Sequence, residues 1–128
     1  MSYGAIPILE KAYKTLNVSS VTSVINGKIY LNARPKGSKL QDIVLNIPVN
    51  PQTRLQVGIL NINCYTIQKS TGTPDTLKLE EIENAVLDLL DEQHHQGMYF
   101  IKENSVILRD MDDPESFYNN IRVSFQIH

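Results

Sequence analysis

His94 and His95 stand side by side in LLDEQHHQGM, and they are the first residues whose type invites chemistry. A zinc site on a helix uses histidines four residues apart, which share a face; adjacent ones point to different sides. Their ordinary role would be as cations near a helix C-terminus, opposite the dipole. Cys64 and His128 are isolated in sequence. Asp110, Asp112, Asp113 and Glu115, in DMDDPE, could form a cation loop. The pattern lacks the central glycine and the later bidentate glutamate of an EF-hand, and Pro114 argues for a rigid turn. A solvated acidic loop is the plainer reading. Serine, histidine and aspartate are present without a spacing that ties them together. The six glycines are scattered, so there is no phosphate loop, and G-x-S-x-G is absent. The residues therefore assign no catalytic group, no metal and no cofactor. A cationic loop, Arg34-Pro35-Lys36-Gly37-Ser38-Lys39, could touch phosphates, but three cations without an aromatic, in an acidic chain, argue first for solvent and then for a protein contact.

The elements that must position these residues come from a chain of 128 residues, the size of one domain, 1–128. Hydrophobic residues make up 41% and charged residues 20%, which excludes a disordered chain. No apolar run reaches the roughly 20 residues a bilayer requires. MSYGAIPILEKAY lacks the basic start and long apolar stretch of a signal peptide. The lone Cys64 reads as a buried thiol in a reducing compartment. Net charge is −2, but residues 1–64 carry +5 and residues 65–128 carry −7. That division describes either two solvated surfaces or a basic face that meets an acidic face of another copy.

Ile6, Leu9, Ala12, Tyr13 and Leu16 follow helical spacing and predict an amphipathic helix over 5–16. Residues 19–24 read as a connection or short strand, followed by an Asn26-Gly27 turn. Strands are predicted over 28–32, 42–49 and 54–68, the second ended by Asn50-Pro51-Gln52. Leu79, Ile82, Val86, Leu89 and Leu90 form one stripe of a helix over 77–93, with Glu80, Glu81 and Glu83 in its first turns and Gly97 as its stop. Two strands, 98–102 and 106–110, flank Glu103-Asn104-Ser105. Ile121, Val123, Phe125 and Ile127 alternate with polar residues in a half-buried strand that runs to the last residue. Connections this short exclude a doubly wound parallel sheet. The expected fold class is α+β: a mostly antiparallel sheet with two amphipathic helices packed on one face.

One strand is unusual. In LQVGILNINCYTIQ, Leu55, Val57 and Ile59 share one parity, while Leu60, Ile62 and Cys64 share the other. A bulge beside Gly58 would reverse the parity and keep one core face. Alternatively, the strand is covered on both faces, once by its own helices and once by another molecule.

Read in order, the chain resembles the tail-terminator (tail-completion) proteins of long-tailed bacteriophages and phage-like elements. The leading helix over 4–16 comes first, and GKIYLNARPKGSKLQDIVLNIPV follows as strand, Pro/Gly loop and strand. LQVGILNINCYTIQ is the long central strand and LKLEEIENAVLDLLDEQ the helix across the sheet. VILRDMDDPESFYNNIRVSFQIH is the closing loop and last strand. Family members often carry a tryptophan in the central strand, where this chain has Cys64-Tyr65. The resemblance implies a homohexameric ring in the virion, assembled in the host cytoplasm. The ring would cap the head-proximal end of the tail tube, stop its growth and offer a surface to a head-completion or connector protein. It implies no catalysis, no cofactor and no membrane, with nucleic acid present only in the ring's lumen. In such a ring Arg34, Lys36 and Lys39 of one copy would meet Asp110, Asp112, Asp113 and Glu115 of the next. A second reading stays open: a small metal- or metabolite-binding domain or enzyme of the same layout, using Asp112 and Asp113 with His94 or His95.

Overall fold

The computed structural model describes residues 2–50 and 53–128. Its elements in chain order are α1 (Ala5–Leu16), α2 (Ser19–Thr22), β1 (Ile29–Leu31), β2 (Ile43–Asn46), β3 (Val57–Ile67), α3 (Thr76–Leu90), β4 (Gln93–His95), β5 (Met98–Arg109) and β6 (Ser116–Ile127). The fold is α+β. Six strands form one sheet in the order β1-β2-β3-β6-β5-β4, antiparallel throughout except for the parallel pair β1/β2.

Period-two alternation gives the sheet a dry face. Leu60, Ile62 and Cys64 of β3 pair with Val123, Ile121 and Asn119 of β6, and all six are buried. Ile43 and Leu45 of β2 and Met98 and Phe100 of β5 extend the layer. The helices cover this face: α1 through Ala5, Ile8, Leu9, Ala12 and Leu16, and α3 through Leu79, Ile82, Val86 and Leu90. Each fully buried aliphatic side chain contributes roughly 1.5–3 kcal/mol. The buried stripe of α1 is rotated from the expected one: Ile6 is exposed, and Ala5 and Ile8 take its place.

Several boundaries differ from expectation. Residues 19–22 form a short helix rather than an irregular connection or a strand. The second helix starts at Thr76, where the Asp75 carboxylate accepts the Lys78 N–H at 3.2 Å, so its glutamates lie beyond the first turn. It ends at Leu90, well before Gly97. His94 and His95 are therefore not helix-end cations but part of β4, and Gly97, at φ +78°, makes the β4–β5 turn. The two strands expected around residues 103–105 are one strand, with a bulge between Lys102 and Asn104 that reverses its parity. The strand break expected at Asn50-Pro51-Gln52 falls mostly on residues 51–52, outside the described residues.

Gly27 is required for a different reason from the hairpin turn it suggested. A Cβ there would sit 2.1 Å from Asp42 Oδ1 and 2.6 Å from the Gln41 carbonyl, so only glycine lets the two segments touch.

Candidate interaction surface

Of the two alternatives for the central strand, the bulge at Gly58 is absent: β3 pairs with β6 from Val57↔Gln126 to Ile67↔Ser116 without a shift. Gly58 instead opposes Phe125, whose ring lies where a Cβ would be, 2.7 Å away at Cζ. The change of parity is therefore real. Val57 and Ile59 lie on the face opposite the helices, and Val57 is 61% exposed.

That open face follows directly from the registers. At one end Val57 and Ile59 join Tyr99 and Ile101 of β5 around a shallow hollow, with Ser124 and Gln126 between them. Across the middle runs a ladder of amides. Asn61 Nδ2 donates to Asn46 Oδ1 at 3.0 Å, and Asn120 Nδ2 donates to Asn61 and Asn63 Oδ1 at 3.3 and 2.7 Å. Farther along, Tyr65 stacks on Tyr118 with ring centroids 5.1 Å apart. Val106 and Leu108 border the face along β5 and are also exposed.

The far end of the face is closed by the chain itself. The loop between β1 and β2 folds over it and buries Val44, enclosing a cleft of about 700 Å³ between this loop and the acidic loop after β5. Arg34 holds the arrangement. Its guanidinium lies 3.8 Å above the Tyr65 ring, reaches Asp42 at 3.4 Å and Asp110 at 3.3 Å, and donates to the Leu40 carbonyl at 3.2 Å. Asp42 is buried and fully used, accepting also from Ser38 Oγ at 2.6 Å and the Lys28 N–H at 3.0 Å. Lys39 reaches Asp113 at 2.6 Å and Glu115 at 3.6 Å. The Asp113 carboxyl is held at about 2, chiefly by the Lys39 ammonium and then by the Ser116 hydroxyl at 2.7 Å. Asp113 in turn raises Lys39. Burial raises the Tyr65 phenol, and Asp110 adds to this while Arg34 opposes it.

Of the seven charged residues singled out in the sequence, five thus meet within one chain: Arg34, Lys39, Asp110, Asp113 and Glu115. Lys36 and Asp112 line the cleft, but their side chains form no ion pair among the described residues. Asp42, the buried partner of Arg34, escaped the sequence reading because a lone aspartate before an apolar run carries no pattern; its closeness to Gly27 was the only signal, and it is spatial.

The histidines are not part of this cluster. His94 packs against Tyr99 and His128, with centroids at 4.6 and 5.3 Å, while His95 Nε2 lies 2.7 Å from the Leu89 carbonyl. β4 pairs with the start of β5, whereas the aspartates follow its end, roughly 35 Å away at 3.3 Å per residue. The combination of His94 or His95 with Asp112 and Asp113 is not brought together. Among the described residues, no three or more His, Cys, Asp or Glu side chains group as a metal site. Cys64 is buried, and burial, with a smaller effect of Glu83, pushes its thiol far up.

No known protein family matches the chain, and no curated protein matches it in sequence. In three dimensions it is similar to a chain of the virion of a native gene transfer agent (GTA) particle. The TM-score is 0.71 over 98% of this chain and 98% of that one, at 12% sequence identity, which establishes a shared fold.

Proposed function

We propose that this chain is a structural protein of a phage or phage-like particle. In this reading it is a single-domain tail terminator that closes the head-proximal end of the tail tube as a ring, six copies to a turn. The observation that carries the reading is the likeness to a virion chain along nearly the whole length of both molecules. The open sheet face supports it, because the helices cover one side of the sheet and leave apolar residues on the other for a neighbour to cover. The role is one of contact rather than catalysis. Its partners are other copies, the tail-tube protein on one side and a head-completion or connector protein on the other, with nucleic acid only in the lumen.

The internal clamp refines the contacts between copies. Arg34, Lys39, Asp110, Asp113 and Glu115 shape the loops, and Lys36 and Asp112 are the charged groups left to meet an adjacent subunit. The test is to mix the purified protein with its tail-tube protein and image the tube ends, with light scattering for the free protein. Rings at one tube end are the expected result. Tubes that grow to unchanged lengths with bare ends would refute the reading.

A further inference from the structure

Among the described residues, one edge of the sheet is covered only in part. β4 pairs with β5 only from Met98 to Phe100. Next to it the Glu92 N–H reaches the Phe100 carbonyl and the Asp91 carboxylate accepts the Lys102 N–H at 2.9 Å. Beyond Lys102, no backbone hydrogen bond among the described residues reaches the outer side of β5. The Asp110 N–H turns inward to the Ser116 carbonyl, so by strand alternation the amides of Ser105, Ile107 and Arg109 turn outward. The stretch is apolar on both faces, with Val106 and Leu108 on one and Ile107 on the other, each exposed. Natural sheets guard such an edge with proline, an inward charge or a covering loop; Val106-Ile107-Leu108 has none of the first two.

We propose that this edge, Asn104–Arg109, accepts the β1 edge of a second copy, so that the sheet continues from subunit to subunit. The inference rests on the ring reading and assigns its contact. The occupant follows from charge. At the β5 edge, α3 lies alongside with Glu80 and Glu83, which line a groove with Ile107; Glu83 is already paired with Lys102 at 3.8 Å, so the exposed Glu80 carries the open charge there. At the opposite end of the sheet β1 is preceded by Lys28 and packed under α1, which carries Lys11 and Lys14 against Glu10. The molecule is thus acidic at one sheet edge and basic at the other, and head-to-tail stacking joins unlike charges. A two-fold pairing of β5 with β5 would instead set two acidic helices side by side. Direction fits as well: β1 runs antiparallel to β5 within the sheet, and an added β1 would lie in line with β4.

Ile107→Pro removes an outward amide while leaving the inward pairing with β6 intact. Circular dichroism checks its fold, and self-association is measured by light scattering and analytical ultracentrifugation. The expected result is a folded protein whose association is weakened by about tenfold or more, the scale of one net hydrogen bond lost. Independently, hydrogen exchange on the unaltered protein should show the Ser105, Ile107 and Arg109 amides slowing as concentration rises. Glu80→Lys should weaken association, and adding Lys14→Glu should restore it. If the unaltered protein forms rings while Ile107→Pro associates equally well and those amides exchange at one rate, the edge contact is refuted and the ring stands. A species that stops at a dimer refutes the head-to-tail contact. A protein that stays monomeric at every concentration, with and without tail tubes, refutes both.

Discussion

Removing Arg34 should do more damage than removing any other surface-loop cation. Its side chain is 10% exposed and is shared between Asp42, which is fully enclosed, and Asp110. Truncating one partner of a buried pair costs about 3–5 kcal/mol, because a desolvated charge is left behind. Here the charge part of that cost belongs below that range. The two contacts are long, 3.3 and 3.4 Å, and Asp42 keeps its bonds from Ser38 and the Lys28 N–H. About 2 kcal/mol from the lost charge contacts plus roughly 0.5–1 kcal/mol for the guanidinium above Tyr65 gives about 3 kcal/mol for Arg34→Ala. At about 4 °C per kcal/mol for a chain of this size, Tm should fall by about 12 °C.

The assay is urea unfolding with a thermal scan, at a concentration where the protein is monomeric. The midpoint should drop with the m-value unchanged, which separates a loss of stability from a change in compactness. Arg34→Lys keeps a charge but not the fork that spans both carboxylates, so it should recover less than half of the loss. A double-mutant cycle with Asp110→Asn should give a coupling of about 1 kcal/mol. A loss below about 1 kcal/mol for Arg34→Ala would refute the claim that this residue holds the two loops together.

Three further outcomes follow from the packing. Asp113 is held at about 2, below its ordinary 3.8, so its contribution is complete above pH 4 and disappears as pH falls towards 2. Asp113→Asn should flatten the acid limb of the stability profile in that window, and an unchanged limb would contradict the pairing with Lys39. Gly58→Ala would drive a Cβ into the buried Phe125 ring at 2.7 Å and should cost about 1–3 kcal/mol; Phe125→Leu in the same chain should recover part of it in chemical denaturation. Cys64 is enclosed and its thiol is pushed up, so disulfide reagents should label it only at the rate of unfolding; fast labelling of the native protein would refute its burial.

The parts of the fold that were legible in the sequence are those where one periodicity dominates. α1 and the alternation of Ile121 to Ile127 were visible because a solvent face and a core face recur at fixed spacing. The end of α3 was misread because Glu92 and Gln96 adopt positive φ where no glycine advertises it, at 58° and 55°. Residues 103–105 looked like a turn because a bulge and a turn draw on the same polar residues, and only the continuous partner strand β6 tells them apart. The charged loops were found as groups, but their pairing depends on the β1–β2 loop folding back over the sheet, a tertiary fact that no local pattern encodes.

The change of parity in β3 bears on the proposed assembly alongside the charges. A bulge would have made it a matter of internal packing, and the unbroken register to β6 removes that explanation. Val57 and Ile59 then lie on a face that α1 and α3 cannot reach, beside Tyr99 and Ile101, while the asparagine ladder keeps the centre of the same face polar and its amides satisfied. A face meant only for water would have no reason to concentrate apolar side chains at one end and along β5. A face meant for a dry core would not hold four asparagines across its middle. In the proposed ring, the apolar end around Val57, Ile59, Tyr99 and Ile101 is the part suited to being covered by a neighbour, and the asparagine ladder is the part suited to the wet rim of such a contact.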